Sequence, residues 1–331
     1  MAAGAWSVIA GNGGAVLARG AAAANTTSTS ASVRLGFVGN PCEAATYAAP
    51  HSAAFTRYRL GPQLIRFDDE AALLAALGAG RVDAASVRLP DLVTALEAGR
   101  NVRAVAGLHA GCLRVLARDA VTINAITDLK GQTIATDRLR GSAMNLLSAI
   151  LHRQGVDPLR DVSWRAYAVP DLEAALDAKS VGCVAAADPL GYFILNDHKA
   201  EPYLDTADGG GFSCGGDIAA GHHCFLVLHG GLVASRPALA ASVTRAYLAS
   251  TAAIGAGAGP AGVATIRGHF VDDGIEDVVG MLASYDWRAS TDLVQEELEL
   301  TARDFRRAGL LRATTDPGEL AERGFADVLH G

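Results

Sequence analysis

Histidine and cysteine are the residues of this 331-residue chain with the most chemistry to offer, and some of them gather in three short stretches. Cys42 follows Gly39-Asn40-Pro41, His109-x-x-Cys112 forms a second group, and Cys214 precedes His222-His223-Cys224. Thiolate and imidazole suit soft ions such as zinc or copper. The spacing matches no standard finger, however, and the groups sit on different segments. Separate loop and hinge residues are the simpler reading, so no metal or cofactor is expected. His109, Cys112, His222 and His223 remain candidates for ligand contact. The five cysteines are an odd number. In an exported chain Cys214 and Cys224 would be the pair to form a disulfide, and Cys183 reads as a small buried hydrophobe. Gly211-Phe212-Ser213-Cys214-Gly215 satisfies G-x-S-x-G, but a nucleophile elbow needs a buried strand before the serine and a helix after it. Asp208-Gly209-Gly210 and Gly216-Asp217 flank it instead, which is loop chemistry.

Other candidates depend on where strands end. In open α/β layers, ligands meet the loops at the carboxyl ends of strands. Those loops are Gly39–Cys42, Leu89-Pro90, Leu108–Cys112, Asp137–Ser142 and Asp188-Pro189. Gly141 and Ser142 precede a helix whose free N–H groups and positive dipole end suit an anion. Arg138 or Arg140 could add a charge. The plainer alternative is a serine N-cap beside solvent-facing arginines. Asp188-Pro189 reads as N-cap and first helical residue, or as a loop bordering the ligand. Asn40, Cys42 and Thr46 lie where the first strand meets its helix.

The elements that must position these residues alternate from Val33 onward. Buried strands such as VRLGFVG (33–39) and VRAVAGLH (102–109) are interleaved with short amphipathic helices such as 70–80 and 142–154. That pattern argues for α/β architecture with mainly parallel sheets. A strand–helix–strand–helix–strand unit occurs twice, at about 33–109 and 133–188, and from Pro237 the chain reads as four or five helical segments. Two such lobes joined by two crossings form a clam-shell that closes by hinge motion. The expected division is 32–115 with 225–331 as a discontinuous first lobe, and 116–224 as the second. Residues 1–31 carry one charge, Arg19, and are otherwise small or mildly apolar, which reads as an export signal without its basic start, or a disordered tail. The 28 basic and 35 acidic residues give a net charge of −7, which argues against a sequence-blind nucleic-acid binder. Only three of the basic residues are lysine, which confines lysine chemistry to Lys130, Lys179 and Lys199.

Leu129-Lys130-Gly131-Gln132-Thr133-Ile134-Ala135 resembles the segment that opens the second lobe of solute-binding proteins of ABC transporters. More narrowly it resembles the nitrate, taurine and aliphatic-sulfonate receptor group, which shares its fold with thiamine-pyrimidine synthases. Leu77–Ala84, Gly141-Ser142, Leu151–Pro158, Gly107–Cys112, Arg236–Ala246 and Phe325–Leu329 fit in the same order, over about residues 33–330. The resemblance implies a type II periplasmic-binding-protein fold of two doubly wound α/β lobes with the ligand between them. It implies a non-enzymatic, exported (periplasmic or cell-surface), monomeric receptor of a small anionic solute, whose partner is a membrane permease. The implied ligand residues are Asn40, Cys42, Thr46, Leu89, Pro90, His109, Cys112, Arg138, Gly141, Ser142, Asp188, His222 and His223. One alternative is a thiamine-pyrimidine-synthase-like enzyme, which implies a multi-cysteine cluster and a pyridoxal-phosphate lysine; in sequence Cys224-Phe225 stands alone. The other alternative is a cytoplasmic small-molecule sensor.

Overall fold

Strand Ala84–Arg88 is buried along its whole length, which requires cover on both faces and places it inside a sheet. The computed structural model describes residues 30–117, 123, 125–178, 180–196, 201–206, 221–256 and 275–330. The N-terminal segment up to residue 29, Cys214 and the whole G-x-S-x-G stretch lie outside the described residues. The first lobe opens with β1 (Ala31–Phe37), α1 (Ala44–Ala48), α2 (Ala53–Arg57), β2 (Leu60–Arg66) and α3 (Glu70–Gly78). Then follow β3 (Ala84–Arg88), α4 (Leu89–Glu97) and β4 (Val102–His109). The second lobe contains β5 (Leu113–Ala117), β6 (Thr133–Thr136), α5 (Ser142–Arg153), β7 (Ser163–Ala166) and α6 (Val169–Asp177). It continues with β8 (Cys183–Ala187), α7 (Leu190–Asn196) and β9 (Glu201–Asp205). The chain returns through β10 (Cys224–His229) to α8 (Gly230–Ser235), α9 (Pro237–Gly255), α10 (Ile275–Ala283), α11 (Val294–Arg307) and α12 (Pro317–Gly324).

Two five-stranded sheets result, in the orders β2-β1-β3-β10-β4 and β7-β6-β8-β5-β9. In the first, β1 runs parallel to β2 and β3, and β10 is inserted antiparallel between β3 and β4. The second repeats the plan: β6 is parallel to β7 and β8, and β5 enters antiparallel between β8 and β9. The inserted strand of each sheet is therefore the one that has just crossed from the other lobe. This is the type II periplasmic-binding-protein architecture. Strand β9 has no counterpart in the sequence reading, because Pro202 and the acidic ends of a five-residue edge segment hide it.

Local signals set the helix starts. Asp69 accepts from the Ala72 N–H at 2.7 Å to cap α3, and Asp316 caps α12 through Glu319. Pro90 lies in the first turn of α4, where its missing N–H costs nothing. Leu89-Pro90 is thus the start of a helix and not a loop, and both residues are buried. α11 packs against α12, α5 and α4, so one apolar core runs from Leu92 and Leu96 of α4 through Leu298 and Phe305 of α11 to Leu147 and Leu151 of α5. Arg153 of α5 pairs with Asp304 of α11 at 2.8 Å on the rim of that core. Among the described residues no helix is long and apolar enough to cross a membrane.

The junction of the lobes contains a buried ion pair. Arg114 of β5 donates to Asp188 through Nε at 2.9 Å and Nη2 at 3.0 Å, and Tyr285 Oη donates to the same carboxylate at 3.0 Å. The Tyr192 N–H of α7 adds a further bond at 2.9 Å, so Asp188 caps the helix while it neutralises Arg114. Removing one partner strands the other charge in a poorly solvated place. Asp188→Asn is therefore expected to cost about 3–5 kcal/mol in urea unfolding. A loss under about 1 kcal/mol would show that Arg114 finds compensation elsewhere.

Candidate functional site

Six strands aim their carboxyl ends at the space between the lobes. Val38 and Asn40 follow β1, Asp68, Asp69 and Glu70 follow β2, and Arg88 ends β3. Opposite them stand Asp137 and Arg138 after β6, Tyr167 after β7, and Ala187 and Asp188 at the end of β8, with Leu190 and Phe193 from α7. Together they enclose a cavity of about 560 Å³, large enough for a small organic molecule. Tyr167 and Phe193 give it aromatic surface.

The loop that follows β1 is fixed by one carboxylate. Glu43 accepts from the N–H groups of Val38, Gly39 and Asn40 at 2.7–3.2 Å and from Tyr47 Oη at 3.0 Å. This holds Asn40 against the cavity. Arg88 forms the opposite kind of feature. Its side chain is 7% exposed, and its Nε has no hydrogen-bond partner among the described residues. Nor does any ion pair reach it there. Burial disfavours its charge, but Glu70, Cys42 and Asp91 lie near enough to outweigh that and hold it protonated. Desolvation also pushes the Glu70 carboxyl up to about 8. Sequence reasoning passed over Arg88, although a charged residue ending an otherwise apolar strand was the available signal.

The sequence-selected residues separate into three groups. Asn40, Arg138 and Asp188 line the cavity, though Asp188 is also bound to Arg114 and Arg138 pairs with Asp91 at 3.2 Å. Gly141 and Ser142 do sit at the start of α5, but the Ser142 hydroxyl donates to Asp91 of α4. The serine hydroxyl is thus engaged by a carboxylate of the chain itself, from the other lobe. Thr46 is fully buried and bonded to Ser86 and Tyr247 at 3.2 and 3.0 Å. Leu89 and Pro90 serve α4. His223 is buried, its N–H donating to the His109 carbonyl and its own carbonyl accepting from the Leu89 N–H.

His222 belongs elsewhere. It borders a second cavity of about 800 Å³ along α11, with Arg288, Glu296, Glu297 and Arg303. The inter-lobe cavity, at the carboxyl ends of parallel strands from both sheets, is the stronger site for a ligand. His222 Nδ1 lies 3.0 Å from Glu297 and Nε2 lies 2.7 Å from the Arg288 carbonyl. Burial opposes its charge, but the Glu297 carboxylate prevails and raises its pKa. Gly107 is required beside it, because a Cβ there would overlap the imidazole.

Cys42, Cys112 and His109 do not line the inter-lobe cavity; with Cys224 they form a buried cluster beside the crossings. Cys112 and Cys224 Sγ lie 3.7 Å apart, and the donor atoms of Cys42, His109 and Cys224 lie within 4.8 Å of one another. Cys224 is a free thiol, not half of a disulfide. Hydrogen bonds from Cys112 and Cys224 hold the Cys42 thiol well below its ordinary value, while burial raises the other two. Cys183 is remote in the second sheet, its thiol pushed up to about 12 by burial. Lys130 pairs with Asp161 at 3.4 Å on a half-exposed turn; Lys179 and Lys199 lie outside the described residues.

A two-lobed type II periplasmic-binding-protein fold with its polar cavity at the strand ends is the architecture of solute-binding proteins. The chain belongs to the NMT1-like family, whose pattern it matches over residues 26–266. It resembles the periplasmic aliphatic sulphonate binding protein SsuA from Escherichia coli with a TM-score of 0.71 and 17% identity, over 89% of this chain and 92% of that one. It also resembles the alkanesulfonate-binding protein SsuA from Xanthomonas axonopodis pv. citri bound to MOPS (TM-score 0.66, 20% identity, 88% and 97% covered). The periplasmic nitrate-binding protein NrtA from Synechocystis PCC 6803 is similar at a TM-score of 0.66 and 13% identity, with 90% and 86% covered. These identities establish the fold. A comparison with curated proteins finds no match.

Two pH dependences follow from the buried groups. Glu70 keeps its proton in the folded state up to about pH 8, whereas the unfolded chain loses it near its ordinary value of 4.5. The folded state thus binds more protons between these values, and stability falls as pH rises through that window. Glu70→Gln is expected to flatten this slope in urea unfolding at pH 5 and pH 8.5; an unchanged slope would assign it to another group. For His222 the sign is explicit too: the raised folded pKa gives stability that is complete below about 6.5 and is lost as pH rises through the folded value. Glu297→Gln should therefore lower the melting temperature more at pH 5.5 than at pH 9, and an equal loss at both would remove the charge from the account.

Proposed function

We propose that the protein is a non-enzymatic solute receptor of an ABC importer, taking a small molecule with an anionic group between its lobes. The observation that supports this reading is the buried Arg88 guanidinium lining the cavity, with no carboxylate bonded to it among the described residues. A guanidinium offers planar, two-pronged donation to a sulfonate, nitrate or carboxylate. Asp68, Asp69 and Asp137 lie on the walls of the same cavity and would face the cationic end of a zwitterion such as taurine. Tyr167 and Phe193 would cover its carbon chain. Closure of the lobes removes water from these contacts, which strengthens them. The partner is a membrane permease that accepts the loaded form, and the site of action is the periplasm or cell surface. The sulfonate- and nitrate-binding proteins of the same fold support the choice of ligand class.

The test is thermal denaturation with nitrate, short aliphatic sulfonates, taurine, carboxylates, and neutral and cationic solutes, because binding raises the melting temperature by mass action. Sulfonates or taurine are expected to stabilise the wild-type protein. Arg88→Gln should weaken their Kd by about 10- to 100-fold, from the 1.5–3 kcal/mol of a hydrogen bond to a charged group. Stabilisation by neutral or cationic solutes alone, or full affinity in Arg88→Gln, would overturn the reading.

A further inference from the structure

Three thiols and an imidazole meet where the chain crosses between its lobes, although they come from widely separated stretches of sequence. Cys42 is brought by the turn after β1, His109 and Cys112 by the first crossing from β4 to β5, and Cys224 by the start of β10. The sheet order puts β10 against β4, with Cys224 opposite His109. All four residues are 3% exposed or less.

We propose that Cys42, Cys112, Cys224 and His109 form a site for one thiophilic closed-shell metal ion, zinc(II) or copper(I). The 3.7 Å between Cys112 and Cys224 Sγ equals the edge of a tetrahedron whose metal–sulfur bonds are about 2.3 Å long, which gives about 3.8 Å. Cys42, His109 and Cys224 place their donor atoms within 4.8 Å of one another, and Cys112 joins them through its thiol contact with Cys224. His109 has one ring nitrogen 3.2 Å from the Ala110 carbonyl and the other 3.1 Å from the Cys42 carbonyl. A neutral imidazole donates only one proton, so one of these contacts gains nothing and its nitrogen is better used as a ligand. The retained N–H···O=C bond would then orient the ring, as outer partners of metal-bound histidines do. Tyr285 stacks on the ring at 5.0 Å and holds its plane.

Two further features fit an ion here. Cys112 has φ 76°, in the left-handed region that non-glycine residues avoid, so the backbone is held in a costly shape that aims this thiol at the others. Three thiolates on a divalent ion leave one net negative charge, and Arg88, whose field reaches Cys42 and Cys112, would offset it. The ion would tie the first crossing to the second and to the turn after β1, all three bordering the hinge.

The test uses the full-length protein purified under reducing conditions, with metal content measured by elemental mass spectrometry. About one zinc or copper per chain is expected in the wild type and in Cys183→Ser, whose thiol lies outside the cluster. Cys42→Ser, Cys112→Ser and Cys224→Ser are expected to lose it. To separate loss of the ion from loss of the fold, cobalt(II) is also loaded into the wild type, where intense thiolate-to-cobalt charge-transfer and tetrahedral d–d absorption is expected. A wild-type chain that holds no metal and gives no such cobalt spectrum would overturn the proposal. So would a Cys112–Cys224 disulfide in peptide mapping of the protein as isolated from cells, or metal retained equally by folded variants lacking each of the three thiols.

Discussion

Among the described residues two guanidinium groups are buried where the lobes meet, and only one has a carboxylate of those residues bonded to it. Arg114 has Asp188 at 2.9 Å, and Tyr285 and Tyr192 complete that carboxylate's shell. Arg88 has nearby acids but no bond to them among the described residues. Burying an ion costs several kcal/mol unless partners replace its water. The first arginine is therefore a structural rivet. The second holds unspent donor capacity in the lining of a cavity, and the placement of everything around the cavity can be understood from that difference.

The fold makes the difference possible. Each sheet receives one antiparallel strand from the opposite lobe, and the parallel strand ends of both sheets border the same gap. β5 brings Arg114 to Asp188, and β10 brings Cys224 beside Arg88 and His109. α11 packs on helices of both lobes and continues the apolar core from one to the other. The gap in this structure is further bridged by Asp91, whose carboxylate takes the Ser142 hydroxyl and the Arg138 guanidinium. These contacts join the two lobes across the gap.

Much of this layout was legible in the sequence because it rests on local patterns. Buried runs such as those of β3 and β4, helix caps, and the repeat of one α/β unit are written in consecutive residues. So are the strand ends, which place Asn40, Arg138 and Asp188 at the cavity. What the sequence hid depends on distant partners. Ser142 carries a good anion-site signal, but nothing near it reveals that Asp91, about fifty residues earlier, takes its hydroxyl. Cys42, Cys112 and Cys224 become a cluster only once β10 is inserted between β3 and β4. Arg88 was masked by Leu89-Pro90, which resembles a loop and is the first turn of a helix.

The central claim is that the Arg88 guanidinium receives the ligand, and arginine Nε–H resonances observed by nitrogen-edited NMR test it most directly. With the stabilising solute identified, saturation should shift the Arg88 Nε–H resonance and slow its exchange with water, while Arg114, already bonded, stays unchanged. Perturbation of Arg138 alone, with Arg88 unaffected at saturation, would contradict the account.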